Sequence, residues 1–279
     1  MSDGVKVLSY IRRDSPVHRL CGVTKLIVFL AWTIVCMLTF DTRILLAAAL
    51  LSVIIFRISK IKLKEVSFVL KWISIFLVLN ALTVYLFSPE EGVKIYGTRH
   101  ELFRFTDHFT VTQEQLLYLL NIILKYFTIG PIALIFMATT HPSEFAASLN
   151  RVGVPYKICY AVAIALRYIS DIQSDYTEIS QAQQARGVDL SKNVPLKARV
   201  KGLANIAVPL IFSSLDRIDL VSNAMDLRGF GKNRKRSWYS ARPFQKADYL
   251  VITVTLILSA FALWITFRGG SRFWNPFIS

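Results

Sequence analysis

The run Tyr249-Leu250-Val251-Ile252-Thr253-Val254-Thr255-Leu256-Ile257-Leu258-Ser259-Ala260-Phe261-Ala262-Leu263-Trp264-Ile265-Thr266-Phe267 holds no charged residue. A bilayer core takes about 20 mostly apolar residues in one helix, so this run is read as a membrane span. Moving outward along the chain, four further apolar runs lack charge: Leu26 to Phe40, Ile44 to Phe56, Trp72 to Pro89 and Tyr126 to Ser143. The first two are short, and the only charges between them are Asp41 and Arg43. They are expected to form two helices joined by a tight turn, with long side chains snorkelling at their ends. The first apolar run begins only at Leu26, and no small-residue cleavage pattern closes it, so no cleavable leader is expected.

Composition narrows the class in the same direction. Of 279 residues, 54% are hydrophobic and 18% charged, against about 25% charged in soluble domains. Lys+Arg number 33 and Asp+Glu 18, giving a net charge of +15. A disordered chain needs low hydrophobicity. An ordinary soluble enzyme would have to hide all this apolar surface in one core. A nucleic-acid binder carries its positive charge on a polar, soluble surface. What remains is an all-α, polytopic membrane bundle of about five spans with basic cytoplasmic segments. The cysteines, Cys21, Cys36 and Cys159, are too scattered for a disulfide framework or metal site. His18, His100, His108 and His141 have no metal-ligand spacing. No glycine-rich phosphate loop occurs, so no cofactor is expected on this chain.

Lys and Arg in the short loops set the orientation. The N-terminal segment carries Lys6, Arg12, Arg13, Arg19 and Lys25, and the second loop carries Arg57, Lys60, Lys62 and Lys64. Both are read as cytoplasmic. The segment 88–114 mixes Lys94, Arg99 and Arg104 with Glu90, Glu91, Glu101, Asp107 and Glu114, and is read as external. Its alternating Phe103, Phe105 and Phe109 fit either a small hairpin or a segment lying on the membrane. Arg268 and Arg272 then fall on the outside, against the trend of the other charges. Lys125, near the start of the fourth span, is expected to snorkel at the outer interface. The organisation that follows is residues 1–140 as membrane helices with the external loop, 141–246 as a cytoplasmic or interfacial helical region, and 247–279 as a final span and tail.

The middle region is too long for a loop, and its apolar runs are too short to span. Its periodicity is helical. One stripe runs Ala165, Ile169, Ile172, Tyr176, Ile179, Gln183, leaving Asp171, Asp175 and Glu178 off it. A second helix is expected from near Pro195, with the stripe Leu203, Ala207, Leu210, Ser214, Ile218, Val221, Met225 and a kink at Pro209. Both helices close alike, as Ala182-Gln183-Gln184-Ala185-Arg186-Gly187 and Ala224-Met225-Asp226-Leu227-Arg228-Gly229. A single such ending is an ordinary helix stop. Two matched endings present two guanidinium forks, suited to carboxylates in the paired grooves of a dimeric partner. The cluster Lys232-Asn233-Arg234-Lys235-Arg236 is read as an orientation determinant attracted to anionic lipid.

These features together resemble the transmembrane T component of energy-coupling factor transporters, the EcfT/CbiQ-like family of prokaryotic vitamin and metal-ion uptake. Asp14-Ser15-Pro16-Val17-His18-Arg19-Leu20 with Thr24-Lys25-Leu26 looks like that family's opening, although Cys21-Gly22-Val23 replaces its Asp-Pro-Arg. Thr140-His141-Pro142-Ser143-Glu144 and Gly153-Val154-Pro155-Tyr156 match two of its turns, with Pro142, Gly153 and Pro155 as structural positions. Ala165-Leu166-Arg167-Tyr168-Ile169 matches a further motif, and the two Arg-Gly endings match its coupling helices, with Leu227 where alanine is usual. The resemblance implies a non-catalytic scaffold in a prokaryotic cytoplasmic membrane, N-terminus inside. Two ABC-type ATPase subunits, which bind ATP-Mg, would dock on Ala185, Arg186, Gly187, Leu227, Arg228 and Gly229. A membrane-embedded substrate-binding S component would rest on a face including Ile172, Tyr176, Ile179, Leu203, Leu210, Ile218, Val221 and Met225, unless these pack as plain core.

Two other classes compete. A membrane insertase or assembly factor would need a cation inside a groove lined by spans, for which Lys125 is available. A membrane-embedded transferase would need paired acids, for which Asp216 and Asp219 are the close pair; at that spacing they are expected to be solvated or paired with Arg217 or Lys201. Neither class calls for matched helix endings.

Overall fold

The computed structural model describes residues 13–104, 110–189, 195–232, 237–268 and 271–276. Lys6, Arg12, Phe105, Asp107, His108, Phe109 and residues 233–236 of the basic cluster lie outside them. In chain order the elements are α1 (Pro16–Arg19), α2 (Gly22–Leu38), α3 (Thr42–Ile58), α4 (Leu63–Phe87), α5 (Glu91–Tyr96), β1 (Glu101–Arg104), β2 (Thr110–Thr112), α6 (Gln113–Thr139), α7 (Pro142–Arg151), α8 (Tyr156–Ala185), α9 (Leu196–Leu227) and α10 (Lys246–Arg268). They fall into two compact units, residues 1–141 with 242–279, and residues 142–241.

In the first unit α4, α6 and α10 are long and apolar enough to cross a membrane. Helices α2 and α3 have 17 residues each, about 25 Å of rise, short of the roughly 30 Å hydrocarbon core. Only residues 39–41 separate them, the tight turn that the sequence predicts. Two spans begin earlier than expected. Helix α6 starts at Gln113 rather than Tyr126, and α4 at Leu63 rather than Trp72, because Glu, Gln and Lys are good helix formers and charge alone does not end a helix.

Local chemistry explains the starts. The Ser15 hydroxyl accepts from His18 N and Pro16 opens α1. Asp41 accepts from Arg43 N at the head of α3, and Thr112 from Gln115 N at the head of α6. Cys21 offers α2 no side-chain cap, and Asp248 of α10 stands in for one. Its buried carboxylate accepts from Cys21 N at 2.9 Å and Thr24 Oγ1 at 2.8 Å, and also from Gln245 N at 2.8 Å. One side chain therefore caps two helices.

Helix α6 is the axis of this unit, packed against α2, α3, α4 and α5, with α10 on the far side of α2. An apolar cluster of Phe56, Ile61, Val66, Leu134, Ile135 and Ala138 closes one end. The other end is polar and tightly bonded. Asn121 accepts from Thr42 Oγ1 at 2.8 Å and donates to Phe40 O and Tyr96 Oη, each at 3.3 Å. The C-terminal tail folds onto the same place: Phe40 N donates to Arg272 O at 3.0 Å, and Asn275 Nδ2 to Tyr96 O at 2.8 Å. Of the two alternatives for segment 88–114, the hairpin is realised. β1 pairs antiparallel with β2, and α5 precedes them. At Gly92 a Cβ would lie 2.5 Å from Gln115 N, so only glycine lets α5 meet α6.

Lys125 departs from expectation. It is buried, donates to Met37 O at 3.2 Å, and its Nζ stands 3.2 Å from the centre of the Phe40 ring. It does not snorkel, because the C-terminal end of α2 offers a free carbonyl and a ring face within reach.

Candidate partner-docking site

The second unit consists of α7, α8 and α9. Pro142 begins α7, which the sequence reading takes for a turn. Gly153, at φ +113, ends it, with Val154 N donating to Leu149 O at 3.1 Å. Pro155 then caps the start of α8. Pro195 stands in the same position before α9, just outside the helix rather than in its first turn. Helix α9 runs from Leu196 to Leu227 with Pro209 inside it.

The two Arg-Gly endings have the same geometry. At the end of α8, Gly187 N donates to Gln184 O at 3.0 Å and Val188 N to Gln183 O at 3.0 Å. At the end of α9, Gly229 N donates to Asp226 O and Phe230 N to Met225 O, both at 2.9 Å. Each is a complete Schellman motif, with the glycine left-handed at φ +86 and φ +65. Arg186 and Arg228 are the C-cap residues, both exposed, and Ala185 precedes the first as Leu227 precedes the second. Leu227 is 90% exposed, an apolar side chain standing in the open beside a guanidinium.

The helices between these tips run antiparallel. Phe230, just past the α9 tip, packs on Tyr156 and Tyr160 at the start of α8, with ring centres 5.3 and 4.8 Å away. Gly231 N donates to Tyr156 Oη at 3.3 Å. Further along, Arg217 of α9 pairs with Asp175 of α8 at 2.8 Å and reaches Asp171 at 4.0 Å. The α9 tip thus lies near the beginning of α8 and the other tip at its end. A 30-residue helix rises about 45 Å, which sets the scale of the spacing between Arg186 and Arg228.

The apolar stripes divide. On α8, Ile172 and Tyr176 are exposed, whereas Ile164, Tyr168, Asp171, Asp175 and Ile179 are partly covered. On α9, Leu203 and Ile218 are exposed, Leu210, Val221 and Met225 are half-buried, and Ile206 is fully buried. In the chain alone, Ile172, Tyr176, Leu203 and Ile218 are therefore left uncovered by other residues. The helices meet through a face that includes Asp171, Asp175 and Arg217 and leave their most apolar flanks outward. Asp216 and Asp219 are exposed, and the Arg217 guanidinium goes to α8 instead of to them. Residue counting missed that interhelical pair because its members sit on different helices. Phe230 was missed as well, although an apolar residue directly after the left-handed glycine is a signal that could have found it.

Among the described residues no group of His, Cys, Asp and Glu is placed to hold a metal ion. Lys125 is buried and bonded to Met37 O.

Apolar helices of spanning length, joined in one chain to a pair of exposed helix tips of the same build, define a multi-pass membrane protein. The cobalt transport protein family CbiQ matches residues 13–238, and the chain belongs to this EcfT/CbiQ family of transporter transmembrane proteins. It is similar to the energy-coupling factor transporter transmembrane protein EcfT of Bacillus selenitireducens, with 28% identity over 97% of this chain and 100% of the relative. The EcfT of Bacillus subtilis is 27% identical over 93% of this chain and 97% of its own length. That of Lactococcus lactis subsp. cremoris is 28% identical over 90% and 93%.

Proposed function

We propose that this chain is the membrane scaffold of an energy-coupling factor importer. Two cytoplasmic ABC-type ATPases dock at its helix tips, Arg186 on one and Arg228 on the other, each arginine meeting acidic groups in an ATPase groove. ATP-Mg is bound and hydrolysed on those partners, and this chain has no catalytic residue of its own. A membrane-embedded S component that binds a vitamin or metal ion rests against the outward apolar flanks, including Ile172, Tyr176, Leu203 and Ile218. The chain crosses a prokaryotic cytoplasmic membrane about five times with its N-terminus inside.

The observation that supports this most is the repetition of one helix ending at both ends of an antiparallel pair. Identical anchors a helix length apart suit two similar subunits. The test is co-expression with ATPase and S-component subunits of an energy-coupling factor transporter, followed by affinity purification. Arg186→Glu combined with Arg228→Glu should lose the ATPase chains and transport while remaining in the membrane. If the doubly reversed protein retains its ATPases and transports normally, the docking assignment is wrong.

A further inference from the structure

Helices α2 and α10 pack together, and α3 packs on α6, leaving a groove between α2, α3 and α10. Its volume is about 480 Å³. The walls are apolar, from Val35, Ile44, Leu51, Leu258, Phe261 and Ile265 among others. Two wall residues carry a buried polar atom with no hydrogen-bond partner, Trp32 Nε1 and Ser259 Oγ.

One residue of the groove lining, Arg43, is cationic. It lies over the Trp274 ring at 4.6 Å. Its guanidinium meets Asp41 through Nε and Nη2, leaving Nη1 for another acceptor. Arg268 ends α10 over the Trp264 ring, and Arg272 stands over Phe40 and Phe273. Both are exposed, and among the described residues neither has a carboxylate within ion-pair distance. Arg43 at the head of α3, Arg268 at the end of α10 and Arg272 in the tail each therefore stand on an aromatic ring, and of the three only Arg43 meets a carboxylate. These include the two arginines that run against the orientation set by the other charges of the chain. Arginine beside an aromatic belt at a membrane boundary is the setting in which lipid phosphate is bound.

We propose that this groove is a binding site for one anionic phospholipid. An acyl chain fills the space between α2, α3 and α10. The phosphate lies among Arg43, Arg268 and Arg272. The lipid neutralises the arginines on the side of the membrane where their charge is otherwise unfavourable. The proposal rests on the membrane reading of the chain and not on ATPase docking.

The test is native mass spectrometry of the delipidated full-length protein, titrated with dioleoyl phosphatidylglycerol or dioleoyl phosphatidylcholine. Phosphatidylglycerol should be retained in preference, and Arg268→Gln and Arg272→Gln should each weaken its retention about fivefold while leaving phosphatidylcholine unchanged. Ala47→Trp, which fills the groove from its open side, should remove both lipids. Melting curves in detergent supply a second measurement: phosphatidylglycerol should raise the wild-type midpoint and not that of the double glutamine variant. Equal retention of the two lipids by the wild type, or wild-type retention of phosphatidylglycerol by the double variant, overturns the proposal. Because no partner chain is present, that result leaves the docking of the ATPases untouched.

Discussion

Gly187 and Gly229 show what a single position contributes to the site. Each holds a left-handed backbone that turns the chain away directly after an arginine, so the guanidinium is left at the tip. A Cβ at Gly187 would meet nothing within 4 Å, and at Gly229 only the flexible end of Lys232 at 3.3 Å. The cost of alanine is therefore one of backbone conformation, about 1 kcal/mol at either position. Amide exchange at Val188 in Gly187→Ala, and at Phe230 in Gly229→Ala, should accelerate about fivefold, since those amides close the Schellman loops. Unchanged exchange would mean that the left-handed turn does not hold the tip. Cys159 offers a second check at this scale. It is fully buried, its thiol lies 3.6 Å from Val154 O, and burial pushes its pKa up. The thiolate is the nucleophile, so a raised pKa leaves less of it at any given pH. Maleimide labelling of Cys159 at neutral pH, followed by peptide mapping, should be slow in the folded protein and rapid after denaturation. Equal rates would place Cys159 at the surface.

At the scale of helices, two buried lysines work in opposite directions along one antiparallel pair. Lys25, in the first turn of α2, donates to Thr139 O at the end of α6 at 2.7 Å. Lys125, inside α6, donates to Met37 O near the end of α2. Each helix thus supplies a cation to the carbonyl end of the other, where orphan acceptors and the negative end of the dipole coincide. Lys125→Met keeps most of the volume and removes the donor, so it should lower stability by about 1 kcal/mol. A thermal melt in detergent reads this out, and a midpoint equal to wild type would show that the cap is dispensable. Neither role was legible in the sequence, where Lys25 counts as a topology signal and Lys125 as a snorkelling side chain. The helices themselves were legible, because uncharged runs and a 3.6-residue period depend on local order alone. The inward face of α8 was not. Counting apolar residues assigns the most apolar stripe to the interior, but in this unit Asp171, Asp175 and Arg217 lie where the helices meet, while Ile172 and Tyr176 face out. In a chain that meets lipid or an apolar partner, the most hydrophobic side can be the outer one.

For the molecule as a whole, the proposed docking of two tips on one unit predicts avidity. Both belong to the same compact unit and are joined by an antiparallel helix pair with an interhelical ion pair at Arg217. On the proposed docking, once one tip is seated in an ATPase dimer the second is held near its own groove, and its docking becomes intramolecular. Linked sites of this kind exceed either site alone by about 10²–10⁴-fold. Arg186→Glu alone and Arg228→Glu alone should therefore each weaken ATPase binding by about a hundredfold or more, although each leaves one intact anchor. The double reversal should leave no measurable complex. The two single variants should also weaken binding alike when the grooves are equivalent, and unequally when the ATPase pair is a heterodimer. Surface plasmon resonance of the scaffold in nanodiscs against the purified ATPase dimer measures all three variants. Single reversals that each cost only a few fold would show that the tips dock independently and that the helix pair does not hold their spacing.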